Sequence, residues 1–273
     1  MLTLLFWNLN HRPIAEHIIN LAVLHEVDIL ILAERAEQSI PAGELLEQLN
    51  LHSSTLYHFP FSNCQKITLF CRFPREFIQA IYERDRLTIR RIMLPAQLEL
   101  LLVATHLPSR LHTDQDSQRG GFYELSREIR EAEERVNHSN TILIGDLNAN
   151  PFDSGTVSAT GLHATMTKTV AQRGTRTVEQ RQYPFFYNPM WSQMGDESPG
   201  PSGTYYYDKS GDVCYFWNMF DQVMLRPTLL DRFPQEGVKV LTGCGSVNFL
   251  DSKGRPNTKI ASDHLPVLLK LHV

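Results

Sequence analysis

Cysteine is scarce in this chain and shows no pattern. Cys64, Cys71, Cys214 and Cys244 form neither a C-x-x-C pair nor a metal-knuckle spacing, which excludes a zinc-knuckle protein and a disulfide framework. Reduced, mostly buried thiols are expected instead. Long hydrophobic runs are also missing. No stretch approaches the roughly 20 apolar residues of a membrane span, so no membrane partner is expected. The apolar start from Met1 to Trp7 has no basic flank and is too short for a secretory segment, so a cytoplasmic location is expected. Positive charge is not in excess. Lys and Arg total 26 against 30 Asp and Glu, a net charge of -4, so any polyanion must be held by local patches. Glycine-rich phosphate cradles are absent. Gly243-Cys244-Gly245-Ser246 has neither G-x-G-x-x-G nor a Walker lysine, and there is no G-x-S-x-G elbow. No organic cofactor and no serine-hydrolase chemistry are therefore expected.

What is present is a globular composition, 42% apolar and 21% charged over 273 residues, enough for a large core. Short aliphatic runs predict strands at 2–8, 28–33, 67–72, 77–83, 87–93, 98–105, 141–144, 220–225, 238–241 and 265–271. A helix is expected to begin at Pro13, carry Ile14, Ile18, Leu21 and Ala22 on one face, and end near Glu26. A second, strongly charged helix is expected over 117–136, with Phe122, Leu125, Ile129 and Val136 as its apolar stripe. Strand, helix, strand at the start implies a crossover unit, and the run of strands between 67 and 105 implies an antiparallel portion. The stretch 161–211 is rich in Thr, Gly, Pro and aromatics and predicts long loops with short elements. No internal repeat or linker divides the chain, so one domain spanning 1–273 is expected: two packed, mixed sheets flanked by helices, an α/β (α+β) sandwich.

The strand ends carry the chemistry. The first strand runs into Trp7-Asn8-Leu9-Asn10, another into Glu34, another into Thr105-His106 and another into Gly145-Asp146-Leu147-Asn148, while the last follows Ser262-Asp263-His264. Carboxylates, amides and imidazoles are the groups that hold hard cations and move protons. Singly, each also has an ordinary reading: Asn8 as a strand-end cap, Glu34 and His106 as surface residues, Gly145 to Asn148 as a turn. An extended segment would place Asp146 and Asn148 on the same side. By the same alternation Asp263 and His264 would face opposite ways, which makes Asp263 a poor orienter of its neighbour.

Gly145-Asp146-Leu147-Asn148-Ala149-Asn150-Pro151, Ser262-Asp263-His264-Leu265-Pro266-Val267, the Asn8 segment and the isolated Glu34, taken in that order along the chain, resemble the endonuclease/exonuclease/phosphatase family. The resemblance covers the chain from Asn8 to Val267. It implies a DNase I-like, four-layered sandwich and phosphodiester hydrolysis with Mg²⁺ or Mn²⁺, most simply by a nuclease acting on DNA or RNA. It implies Asn8, Glu34 and Asp263 at the cation, Asp146 positioning the attacking water, Asn148 and His106 at the phosphate, and His264 either at the phosphate or as general base. Asp221, in Phe220-Asp221-Gln222-Val223, matches the position that pairs with His264, and Arg119 is a candidate phosphate contact or a plain surface residue. Two departures stand out. Ala33 occupies the place where the family commonly has Gln before the glutamate, and the loops after His106 offer no match for the tyrosine of the apurinic-endonuclease branch.

Two clusters invite a nucleic-acid reading. Arg72, Arg75, Arg84, Arg86, Arg90 and Arg91 fall on neighbouring strands and are expected to be a solvated face. Lys168, Arg173, Arg176 and Arg181 precede Tyr183, Phe185, Phe186, Tyr187 and Trp191, which would make either a single-strand groove or loop packing. A phosphatase or lipid phosphodiesterase is the alternative enzyme. A catalytically idle binding module is the alternative of another class, with seven retained polar positions against it.

Overall fold

The computed structural model describes residues 1–94, 98–109, 115–209 and 212–273. In chain order the larger elements are β1 (Leu2–Asn8), α1 (Ala15–Leu24), β2 (Ile29–Ala33), α2 (Ala42–His52), β3 (Ile67–Cys71), β4 (Ile78–Arg84), β5 (Leu87–Met93), β6 (Glu99–His106), α3 (Gln115–Val136) and β7 (Thr141–Asp146). Shorter strands follow: β8 (Ala164–Thr165), β9 (Thr175–Val178), β10 (Arg181–Pro184), β11 (Phe186–Tyr187), β12 (Tyr205–Tyr207) and β13 (Phe216–Asn218). The chain closes with β14 (Asp221–Leu225), β15 (Val238–Val240), β16 (Gly243–Cys244), β17 (Val247–Asn248) and β18 (Val267–Leu271).

These elements form four layers. A five-stranded sheet has the order β15-β18-β1-β2-β3, and a seven-stranded sheet the order β4-β5-β6-β7-β14-β11-β8. Both are mixed. β1 runs parallel to β2 and antiparallel to β18, while β6 runs parallel to β7 and β7 antiparallel to β14. Strands covered on both faces need no alternation, which is why β1, β2 and β6 read as unbroken apolar runs.

Residue parity divides the core. Leu4, Phe6, Ile29, Ile31 and Leu269 meet Leu100, Leu102, Ile142, Ile144 and Val223 between the sheets. The opposite parity of the first sheet, including Leu5, Trp7, Leu30, Leu32 and Phe70, packs against Ile18, Leu21, Leu45 and Leu49 of α1 and α2. On the far side Leu101, Val103 and Leu143 pack against Phe122, Leu125 and Ile129 of α3. A one-residue slip in β1 or β6 would exchange one core for the other, so register is tightly specified.

The expected elements are present with ends shifted by no more than two residues; β18, for example, starts at Val267 rather than Leu265. Helix α2 is the one among the larger elements that the sequence did not suggest. Its buried face is only Ala42, Leu45 and Leu49, behind Pro41 at the N-cap. Among the described residues no helix is long and apolar enough to cross a membrane.

The arginine cluster is not simply the solvated face expected, because its members are paired with carboxylates and Arg90 is buried. Arg84 meets Glu128, Arg91 meets Glu99, and Arg90 is buried against Glu83. In the second cluster Phe185, Phe186 and Tyr187 belong to the core. That choice between groove and packing is settled for these rings in favour of packing.

Candidate active site

The polar strand ends meet where the two sheets share an end. Asp146, the last residue of β7, is in register with His106 of β6 on one side and with Asp221 of β14 on the other. From the other sheet, Asn8 at the end of β1 donates its Nδ2 hydrogen to Asp146 Oδ2 at 2.9 Å. The parallel β6–β7 pair is unusually close here because of Gly145: a Cβ at this position would lie 2.0 Å from the carbonyl oxygen of Thr105. Only glycine allows Asp146 to follow at this depth.

Asp146 is 1% exposed. Its Oδ1 accepts from the Asn148 backbone N–H at 2.8 Å. This corrects the extended reading of the motif. Asn148 has φ 47°, so the chain turns back at once, and the two side chains are joined by a turn rather than by strand alternation. The Asn148 amide in turn donates to Leu107 O at 2.9 Å. Burial is the main cause that raises the Asp146 pKa above the ordinary carboxylate range, with Asp221 adding to it and the neighbouring imidazoles opposing it.

His264 lies in the loop ahead of β18, not on the strand. Its Nδ1 is 2.7 Å from Asp221 Oδ2 and its Nε2 is 3.9 Å from Asp146 Oδ2. Burial alone would strip the imidazole of its proton, but Asp221, with Asp146 and Asp263 behind it, overrides this and pushes the pKa up to about 10. The main chain around it is fixed as well. Trp7 Nε1 donates to His264 O at 2.8 Å, and Ser262 Oγ donates to Asn8 O at 2.7 Å while accepting from the His264 N–H at 3.2 Å. The expected Asp221–His264 pairing is therefore present. Asp263 and His264 do not face apart: both border one cavity of about 640 Å³. Strand alternation does not apply to a loop.

Glu34 sits one residue past β2 with φ 49°, its N–H directed at Lys66 O and its carbonyl accepting from His11 N. Its carboxylate stands 3.3 Å from His106 Nε2 and 3.7 Å from His11 Nε2. His106 is 5% exposed, and burial lowers its pKa, so the neutral imidazole is favoured. Asn8 Oδ1 accepts from Asn10 N at 3.0 Å, an Asx turn that aims the amide inward.

The cavity also brings together Glu34, Asp146, Asp153 and Asp263, and no lysine or arginine is among its described lining residues. Walls richer in carboxylates than in positive charge suit a hard divalent ion. Asp221 Oδ1 and His106 Nδ1 are buried without a hydrogen-bond partner among the described residues. Asp146, Asp221 and His264 present ligand atoms within 4.8 Å of one another, a group compatible with a metal. The 2.7 Å Asp221–His264 bond occupies Nδ1, however, so Glu34, Asn8 and Asp263 offer the less committed oxygens. Arg119 is exposed on α3 and does not reach the described wall of the cavity.

Sequence reasoning did not single out the aromatic side of the cavity. Tyr205, Tyr207, Tyr215 and Phe220 line it. Tyr205 stacks on Phe220 at 5.4 Å and packs on His264 at 4.7 Å. Tyr205 and Tyr207 share a face of β12 because they are two residues apart, the only sequence sign that would have found them. Thr204 is a further unflagged support: its Oγ1 accepts from Asp221 N at 3.1 Å.

No protein-family model matches the chain, and no curated protein matches it by sequence. Solved structures do. D. rerio TDP2 complexed with a single-strand DNA product superposes with a TM-score of 0.58 at 18% identity, covering 100% of this chain and 99% of that one. An endonuclease/exonuclease/phosphatase family protein from Leptotrichia buccalis gives 0.58 at 15%, with 100% of both chains covered. The 3' phosphatase NExo from Neisseria, bound to a product DNA hairpin, gives 0.57 at 13% with the same coverage. The chain has the fold of these proteins, the DNase I-like sandwich expected from its sequence.

Proposed function

We propose that the chain is a divalent-metal-dependent phosphodiester hydrolase of the endonuclease/exonuclease/phosphatase family, a nuclease acting on DNA or RNA, with residues 1–273 as its single catalytic domain. The observation that carries this reading is the convergence of a hydrogen-bonded His264–Asp221 pair, a buried Asp146 and a Glu34 beside the imidazoles of His106 and His11, with His264, Asp146 and Glu34 on one cavity. The D. rerio and Neisseria proteins of the same fold hold DNA products, which supports a nucleic-acid substrate here.

Glu34 and Asn8, with Asp263, are the residues that would hold Mg²⁺ or Mn²⁺, whose charge when bound offsets that of the phosphate oxygens. Asp146 orients the attacking water and accepts its proton, and a pKa raised by burial brings the carboxylate closer to that task. The water oxygen bonds to phosphorus as the opposite P–O bond breaks, and the leaving alkoxide takes a proton from solvent, giving a phosphomonoester and an alcohol. With Nδ1 held by Asp221, His264 keeps its second proton on Nε2 and donates it in a hydrogen bond to the phosphoryl oxygen that gains charge. This supports phosphate donation over a general-base role. His106, as neutral imidazole, and the Asn148 amide complete the donors.

The test is incubation of purified protein with Mg²⁺, Mn²⁺ or EDTA against single-stranded DNA, duplex DNA, RNA and an aryl phosphate. Polymer cleavage with either metal and none with EDTA is expected. Turnover of the aryl phosphate alone would make the protein a phosphatase. Polymer binding without cleavage under any metal would make it a binding module.

A further inference from the structure

The two sides of the cavity are chemically unlike, and the difference bears on what the substrate must carry besides its phosphate. One side is carboxylate and imidazole; the other is a column of rings. Phe220 and Tyr205 lie 5.4 Å apart at 21°, and Tyr207 continues the column at 6.5 Å and 18°. Tyr205 is enclosed between Phe220 and His264. Tyr207 is the outer member and half-buried. Beside it Tyr215 is 53% exposed and is held edge-on by Phe152 at 5.2 Å, which leans on Trp191 at 6.1 Å. Val213, 71% exposed, borders the same opening. Large apolar side chains left open at the mouth of a polar cavity mark a contact surface.

Charge points the same way. A protein that tracks duplex DNA neutralises many phosphates with Lys and Arg and loses affinity steeply with salt. None of the described residues that line this cavity is a lysine or an arginine. Aromatic faces, by contrast, hold unpaired bases of any sequence by stacking. Bases paired within a duplex are already stacked on one another and unavailable to a tyrosine ring.

Resting on the phosphodiesterase reading above, we propose that this site selects phosphodiesters whose scissile phosphate carries an unpaired planar base, with Tyr207 and Tyr215 as the specificity-determining residues. The shared chemistry is a nucleoside beside a diester, supplied by the end of a single strand or by a free dinucleotide. A single-stranded 12-mer, a dinucleotide, the matching duplex and the 12-mer lacking its terminal base distinguish these sources.

Cleavage of the 12-mer is expected to exceed that of the duplex, and removal of the terminal base is expected to lower kcat/KM about 10-fold. That base advantage should collapse in Tyr207→Ala and Tyr215→Ala, mainly through KM, and be retained in Tyr207→Phe and Tyr215→Phe. Raising salt from 50 to 200 mM should change KM by less than about 10-fold, against the roughly 10³-fold or greater loss of a protein contacting six or more phosphates. Hydrolysis that favours duplex, or that ignores the missing base, would overturn the proposal and leave the phosphodiesterase intact. Equilibrium binding of the fluorescent 12-mer separates the remaining cases. Binding weakened by Tyr207→Ala but not by Tyr207→Phe, without hydrolysis of any substrate, would retain the ring site and overturn the enzyme reading. Binding indifferent to all four variants would overturn the ring site.

Discussion

His264 and Tyr215 border the same cavity, yet the first is 7% exposed and bonded through its ring, its N–H and its carbonyl, while the second is 53% exposed and rests edge-on against Phe152. The floor draws its groups from both sheets, and Asn8, His106, Asp146, Asn148 and His264 each meet a partner on a different strand or loop. The wall is largely one hairpin, β12 and β13, with rings leaning on rings. Bond-making chemistry needs fixed donors, since a displaced donor loses its advantage in the transition state. Recognition of a flat ring tolerates sliding, because stacking is broad in geometry. The contrast separates a part of the site that would decide rate from a part that would decide substrate.

The contrast is broken most directly at the floor. Asp146→Asn keeps the shape and an acceptor for Asn8 but removes the base; kcat is expected to fall by about 10³-fold or more with the fold retained by circular dichroism. A rate within tenfold of wild type would remove Asp146 from the chemistry. Glu34→Gln should raise the Mg²⁺ concentration for half-maximal activity about 10-fold or more, with partial recovery at saturation, and EDTA should silence the unaltered protein. An unchanged metal titration would place the ion elsewhere.

Asp221→Asn sharpens the picture through pH. Against burial, the Asp221 carboxylate pushes the His264 pKa up to about 10, above its ordinary value of 6.5. A raised histidine pKa stabilises the folded state fully below about 6.5, and that contribution fades as pH rises toward about 10. The stability gap between the unaltered protein and Asp221→Asn, read by urea unfolding, should therefore be widest near pH 6 and narrow toward pH 10, while NMR shows the His264 pKa falling in the variant. A gap independent of pH would disprove the charged pair. Arg119→Ala, outside both floor and wall, should change kcat/KM by less than about twofold; a larger loss would extend the site to α3.

Much of the floor is legible in the sequence for a physical reason. Strands buried on both faces are continuous apolar runs, so a polar residue at their ends is conspicuous, and Asn8, Glu34, His106 and Asp146 all lie there. Asp221 is different. Nothing local in Phe220-Asp221-Gln222-Val223 marks it, and only the family resemblance points to it. The conformation beyond the strands is not legible: Asn148 and Glu34 both adopt positive φ, and that choice is made by tertiary hydrogen bonds. Helix α2 escapes notice because three buried positions in eleven residues make a weak stripe. The aromatic wall escapes because β12 is three residues long in a stretch crowded with other rings, most of which are core.

The first strand of the sandwich lies between β2 and β18, so its five-residue ladder with Leu268 and its neighbours spans nearly the whole chain. Such pairings carry the largest loop-closure cost and form late. During synthesis, β1 has its β2 neighbour early but must wait for the final strand. Since Ser262 ties the Asn8 carbonyl to His264, the reactive constellation is assembled only at that last step. On the proposed function, a nascent or partly unfolded molecule is inert, and hydrolytic capability arrives together with completed folding.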